Sequence, residues 1–400
     1  MSLGRPFWTW WSAAALANLG DGIRLAAFPL LAAQLTDDPL AVGAVAAAGG
    51  VPWLVAGLPA GGLADRVEAR RLLLLADAAR VLVLCGLVAL LVTERAGVPA
   101  VLAAALLLGV SETVRDTAAE TVVPRLVQAD QLEQAGGRLT AGSLIGNEFA
   151  GPLVGGLLFG AGAALPFVAS SAASALAVLL VLSLPVAVLR LLTPMCSAER
   201  SVDAGTLAGL RWLSRQRLLG TLVVVVALVA LADSAWFAVF VLYTEVRLGL
   251  SPVAFGALLA LGAGGGLAGS LSADRLVAGR RHTGAVAWSS AVATTSPALL
   301  LLWPELWAAG VVVVVTSAAF GVLNVAAAGL RYRLVPSDLL GRVSAAWRTS
   351  AYASGAGGAL AGGFVASSQG LSAPFVLSVV VGALATGLWL ASSRTGPAPA

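Results

Sequence analysis

The chain contains no lysine: all 24 of its basic residues are arginine. A Walker A loop needs a lysine on the nucleotide phosphates, so ATP hydrolysis of that kind is excluded, and lysine-based covalent chemistry with it. Charge of either sign is scarce, at 11% of 400 residues, where a soluble domain carries about 25%. The single histidine, His282, stands in a basic stretch that reads as a solvated loop. Cys85 lies in an apolar run and Cys196 in a polar one, which gives no disulfide framework and no metal site. No cofactor is expected, and the chain is not expected to be an enzyme.

What is abundant is apolar sequence. Hydrophobic residues make up 59% of the chain, and the mean hydropathy is +0.92. The runs are long enough to cross about 30 Å of hydrocarbon as helices, the only form such runs can take there. Spans are expected near 10–33, 40–63, 72–92, 99–124, 139–159 and 165–189, then near 218–243, 252–273, 284–303, 306–330, 339–364 and 371–392. The first run continues past signal-peptide length, so it is expected to stay in the protein. The fold class is therefore an all-α membrane protein of about twelve transmembrane helices.

The arginines concentrate in alternate loops: Arg66, Arg70 and Arg71, then Arg125, then Arg275, Arg280 and Arg281, then Arg331 and Arg333. Outer loops carry mostly acids, such as Asp37, Asp38, Glu94 and Glu305. By the positive-inside rule both termini face the cytoplasm. The arginines thus set topology, and no nucleic-acid partner is implied. Residues 191–216 break the apolar pattern with Arg200, Arg211 and Arg215 and a partly amphipathic stretch around Trp212. They read as a cytoplasmic linker between a 1–190 half and a 217–400 half.

The two halves repeat each other. Gly269-Ser270-Leu271-Ser272-Ala273-Asp274-Arg275 echoes Gly61-Gly62-Leu63-Ala64-Asp65-Arg66. Arg125-Leu126-Val127 with Asp130 recurs as Arg333-Leu334-Val335 with Asp338, at nearly the same offset. This indicates a duplicated six-helix unit.

Gly61-x-Leu63-x-Asp65-Arg66 followed by Arg70-Arg71, after a second span, resembles the signature loop of the major facilitator superfamily. Glu68 and Ala69 depart from the family pattern. Leu72 to Arg80 resembles the branch that includes macrolide and enterobactin exporters. The resemblance implies two pseudo-symmetric six-helix bundles rocking about a central cavity. It also implies a monomer in a bacterial cytoplasmic membrane, with Gly61, Asp65, Arg66, Arg70, Arg71, Asp274 and Arg275 latching the cytoplasmic side. Gly151-Pro152-x-x-Gly155-Gly156 resembles the fifth-helix motif of the family's exporters, with Asn147 near a position the motif gives to glycine. Ordinary small-residue packing is the alternative.

A charge at the bilayer centre costs about 2.5–3.5 kcal/mol, so charges inside spans are candidates for function. Counting along the spans places Asp21, Glu148 and Asp233 near mid-membrane. These are the candidates for proton coupling or substrate contact, with Arg24 three residues from Asp21, Asn147 beside Glu148, and Asn324 in the tenth span. A static ion pair is the alternative for Asp21 and Arg24. Glu112, Arg115 and Asp116 cluster on neighbouring faces of the fourth span. They form either a proton relay or a charge lock with Asp65 and Arg66, which Asp77 and Arg80 could join. The expected function is export of an amphipathic small molecule by proton antiport. An importer, a lysolipid flippase and a non-transporting membrane receptor are the rivals.

Overall fold

The computed structural model describes residues 3–55, 67–184, 216–335 and 339–395. Among these the chain is helical, with no strand. Gly61, Asp65, Arg66, Cys196 and the expected linker lie outside the described residues.

In the first half the long helices are α1 (Arg5–Leu35), α2 (Pro39–Val55), α3 (Ala69–Val92), α4 (Val98–Glu120), α5 (Leu132–Ala161) and α6 (Leu165–Ser183). In the second they are α7 (Arg217–Val246), α8 (Pro252–Val277), α9 (His282–Leu302), α10 (Leu306–Leu334), α11 (Leu340–Gln369) and α12 (Ala373–Thr395). Nine of them are long and apolar enough to span a bilayer by length and composition alone. The other three are α1 and α11, both of spanning length, and the 17-residue α2.

The breaks between helices follow residue chemistry. Proline opens α2, α8 and, at its second position, α4, where a missing N–H costs nothing. Gly249 (φ 63°) and Gly370 (φ 95°) stand just past the ends of α7 and α11, in the left-handed region that glycine reaches without strain.

One boundary differs from expectation. The arginine-rich stretch between α8 and α9 is not a loop, because the helix runs unbroken from Pro252 to Thr295. Alanine, leucine and arginine are good helix formers, and nothing between Ala273 and Arg281 breaks a helix except one glycine. The echo of the signature loop is therefore helical. His282 is half-buried within that helix, and its ring lies against Gly329 of α10.

The described residues fall into two compact units. The first takes Met1–Thr36, Val51–Ala198 and Ser251–Ala260. Within it α1 packs on α5 and α6, and α3 packs on α4 and α6. Trp10, Ala13, Ala17, Leu72, Leu73, Ala118, Ala177 and Val181 form one buried cluster there. The second unit takes Asp37–Gly50, Glu199–Leu250 and Leu261–Ala400. Within it α7 packs on α11 and α12, around a core that includes Leu222, Val225, Val229, Leu323, Ala326 and Trp389.

Glycines explain how these helices come so close. In the first unit, a Cβ on Gly151 would sit 2.5 Å from the Gly22 Cα, and one on Gly155 would sit 2.5 Å from the Ile23 carbonyl. In the second unit, Gly358 and Gly362 of α11 stand in the same way against the carbonyls of Leu231 and Ala235 of α7. Gly156 meets Pro252 and Gly256, and Gly363 meets Pro39 and Gly43. The triple 151, 155, 156 thus recurs at 358, 362, 363 with the same work in each unit. These crossings place the start of α8 in the first unit and the start of α2 in the second.

Candidate functional site, a buried ionic network on three helices

Three neighbouring helices each carry an acid with an arginine three residues later. The pairs are Asp21 and Arg24 in α1, Asp77 and Arg80 in α3, and Glu112 and Arg115 in α4. At that spacing acid and base share a helix face. The packing of α1, α3 and α4 brings the three faces together, and Asp116 joins from the next position in α4.

Arg80 is the hub. It is 1% exposed, and its Nη2 donates to Asp21 Oδ2 at 3.1 Å. It stands 3.7 Å from Asp77 and 3.9 Å from Glu112. Arg24, also buried, donates to Asp21 and lies 3.7 Å from Glu112. Arg115 donates through Nε to Asp77 at 2.9 Å and reaches Asp116 at 3.9 Å. The Ser170 hydroxyl of α6 donates to the Gly20 carbonyl at 3.0 Å, which pins α1 beside Asp21.

The network is unequal in two respects. It holds four carboxylates, Asp21, Asp77, Glu112 and Asp116, against three guanidinium groups. With every group ionised it therefore has one excess negative charge. Its hydrogen bonding is also incomplete. Asp77 Oδ2, Arg24 Nε, Arg80 Nε and Nη1, and Arg115 Nη2 are buried without a hydrogen-bond partner. Buried polar atoms are nearly always partnered, by protein or water. Asp21 and Asp77 are each held by a direct hydrogen bond, whereas Glu112 and Asp116 meet their arginines only beyond 3.5 Å. Those two are also the more open, with side chains 34% and 42% exposed.

The sequence-derived candidates therefore divide. Asp21, Arg24, Glu112, Arg115 and Asp116 come together, and Asp77 and Arg80 join them as the centre of the network. The signal for this grouping in the sequence is the same acid-x-x-Arg pair in three spans.

Glu148 stands apart and is exposed. It sits in a π-helical stretch of α5, Leu144–Ala150, where the Gly151 N–H reaches back five residues to the Gly146 carbonyl. Pro152 has no N–H for the Asn147 carbonyl, the next acceptor in that register. That carbonyl lies instead against Gly22, where a Cβ would approach it to 2.5 Å. The π turn and the glycines beyond it thus press α5 onto α1 one residue from Asp21. Such turns are frequent at functional sites.

Asp233 of α7 belongs to the second unit and makes no ion pair among the described residues. It neighbours the indole of Trp236, which is 1% exposed. Phe240 and Phe375 lie 5.2 and 6.1 Å from Trp236, ring to ring. Asn324 is exposed on α10. Of the expected latch, Arg70 donates to the Leu182 carbonyl at 3.1 Å and Arg71 pairs with Glu68 at 3.5 Å. Asp274 and Arg275 are exposed on α8. No group of histidine, cysteine and carboxylate side chains able to hold a metal is present among the described residues.

A multi-pass helical chain with duplicated glycine crossings and charges buried inside its spans is built as a membrane transporter. Residues 10–358 match the Major Facilitator Superfamily, and the chain belongs to that family. It is 30% identical over 357 residues to the enterobactin exporter EntS of Salmonella choleraesuis (strain SC-B67), covering 86% of this chain and 81% of that protein. Among solved structures, a point mutant of the nucleoside transporter NupG superposes with a TM-score of 0.82 at 12% identity, over 97% of this chain and 100% of that one. A bacterial homologue of the iron transporter ferroportin in an inward-facing state gives 0.73 at 15% identity, over 98% and 100%. At those identities the likeness is one of fold.

Proposed function

We propose that this protein is a proton-coupled exporter of an amphipathic small molecule, such as an antibiotic, a siderophore or another secondary metabolite. It works by alternating access in a bacterial cytoplasmic membrane, with both termini in the cytoplasm. The observation that carries the reading is the ionic network of α1, α3 and α4. A buried network with one carboxylate more than it has arginines is stabilised by taking up one proton, and an arrangement that can hold or release a proton is what antiport requires. The 30% identity to an enterobactin exporter supports the direction of transport. The arginine-rich stretches at Arg66, Arg70 and Arg71 and at Arg331 and Arg333 support the orientation.

An importer is the second reading. The glycines of Gly151-Pro152-x-x-Gly155-Gly156 recur in α11 with the same packing work, so glycine packing alone does not mark an exporter. Pro152 and its π turn are what distinguish α5. Inverted membrane vesicles decide the direction. If an imposed proton gradient drives a siderophore or macrolide into them, export holds. If the gradient drives none of the candidates in, and right-side-out vesicles accumulate them instead, import replaces it.

A further inference from the structure

The carboxylates of α4 form a ladder. Glu112, Asp116 and Glu120 follow one another at intervals of four, so they lie along one stripe of the helix. Exposure grades along it: Glu120 at the last turn is exposed, and Asp116 and Glu112 are progressively less so. Like charges at this spacing destabilise a helix by about 0.2–0.5 kcal/mol per pair even in water, and more is lost where water is scarce. Packing does not account for keeping three in a row on a spanning helix.

The inner end of the ladder opens onto the network. Glu112 faces Arg24 of α1 at 3.7 Å and Arg80 of α3 at 3.9 Å. The same guanidinium groups hold Asp21, and Asp77 and Arg115 complete the surroundings. Arg80 is almost wholly buried, and its Nε and Nη1 lack hydrogen-bond partners. Those N–H groups can take a further acceptor while Nη2 stays on Asp21. Of the four carboxylates, Glu112 combines contact with two arginines, neither at hydrogen-bonding distance, with a third of its surface open.

We infer that the α4 stripe is a proton relay, in which Glu120 and Asp116 pass a proton along the helix and Glu112 is the carboxylate that holds it. In each step a carboxyl group loses its proton to the next carboxylate, directly or through one water, so charge and atoms balance. Protonation of Glu112 removes the excess negative charge and releases Arg24 and Arg80 to Asp21. Deprotonation returns Glu112 as a competitor for both. The inference rests on the proposed proton coupling and names the residues that perform it.

The test uses the full-length protein in lipid nanodiscs, followed by infrared difference spectroscopy of the carboxyl C=O stretch as the pH is raised. The wild type is expected to show a protonated-carboxyl band that titrates away. Glu112→Gln is expected to lack it, while Glu148→Gln and Asp233→Asn keep it. Asp116→Asn is expected to keep the band but to slow its loss after a pH jump by about a hundredfold, the scale of a missing acid–base group, with Asp116→Glu restoring the rate. A wild-type band that keeps its full intensity in Glu112→Gln, or an Asp116→Asn rate equal to wild type, overturns the relay. Proton-driven transport in vesicles is read separately. If the band behaves as expected but no gradient drives transport, the relay stands and antiport falls; the reverse result sinks the relay alone.

Discussion

Arg80 and Asp21, 59 residues apart in sequence, meet at 3.1 Å between α3 and α1, with the guanidinium 1% exposed. This contact joins what the sequence presents as separate pairs into one network, and it decides the consequences of mutation. Removing one partner of a buried ion pair costs about 3–5 kcal/mol, because the other charge stays behind uncompensated. Arg80→Gln is therefore expected to lower thermal stability in nanodiscs by that order. Asp21→Asn combined with Arg80→Gln is expected to be less destabilised than Arg80→Gln alone. Melting curves of the single and double variants check this.

The glycine contacts separate positions that tolerate a methyl group from positions that do not. A Cβ at Gly362 would overlap the Ala235 carbonyl, whereas one at Gly86 would meet nothing within 4 Å. Gly362→Ala is expected to force α11 away from α7 and reduce the yield of monodisperse protein. Gly86→Ala is expected to be neutral, or stabilising by up to about 1 kcal/mol through helix propensity. Size-exclusion profiles and melting temperatures of the two variants give the comparison.

Pro152→Ala supplies an N–H where α5 now has none. An interior proline costs a helix about 3 kcal/mol, so the variant is expected to be more stable by up to that amount. It is expected to turn over more slowly if the π turn beside Gly22 moves during transport. Slower amide hydrogen exchange over residues 147–153, read with the transport rate, measures both effects.

Tyr243 anchors α7 to α9 within the second unit. Its hydroxyl donates to the Leu300 carbonyl at 2.9 Å, and both residues are 1% exposed. Tyr243→Phe leaves that carbonyl unpartnered, at an expected cost of about 1 kcal/mol. A melting temperature unchanged from wild type would show that water replaces the bond.

Most of the spans were legible because they are long, largely apolar runs bounded by proline, glycine or charge. The join of α8 to α9 was not, since Arg275, Arg280 and Arg281 suggest a cytoplasmic loop while their neighbours favour helix. The candidate site was half legible. Asp21, Arg24, Glu112, Arg115 and Asp116 could be placed in spans by counting, but which faces meet depends on how α1, α3 and α4 rotate against one another. Glu148 shows the limit of counting. A π turn shifts the angular position of the residues that follow, so depth could be estimated while facing could not. Asp77 and Arg80, in the middle of α3, read from sequence as possible members of a charge lock with Asp65 and Arg66; the hydrogen bond from Arg80 to Asp21 of α1 is what makes them the centre.

The central claim is that this network loads a proton that substrate expels. The most direct measurement is proton release from the purified protein when a candidate siderophore or macrolide is added, for wild type, Asp21→Asn and Glu112→Gln, with binding measured in parallel. The account predicts that wild type releases protons and that Glu112→Gln binds without releasing any. Substrate binding to wild type with no release at any pH from about 5 to 8, the range over which shifted carboxylates titrate, would contradict it.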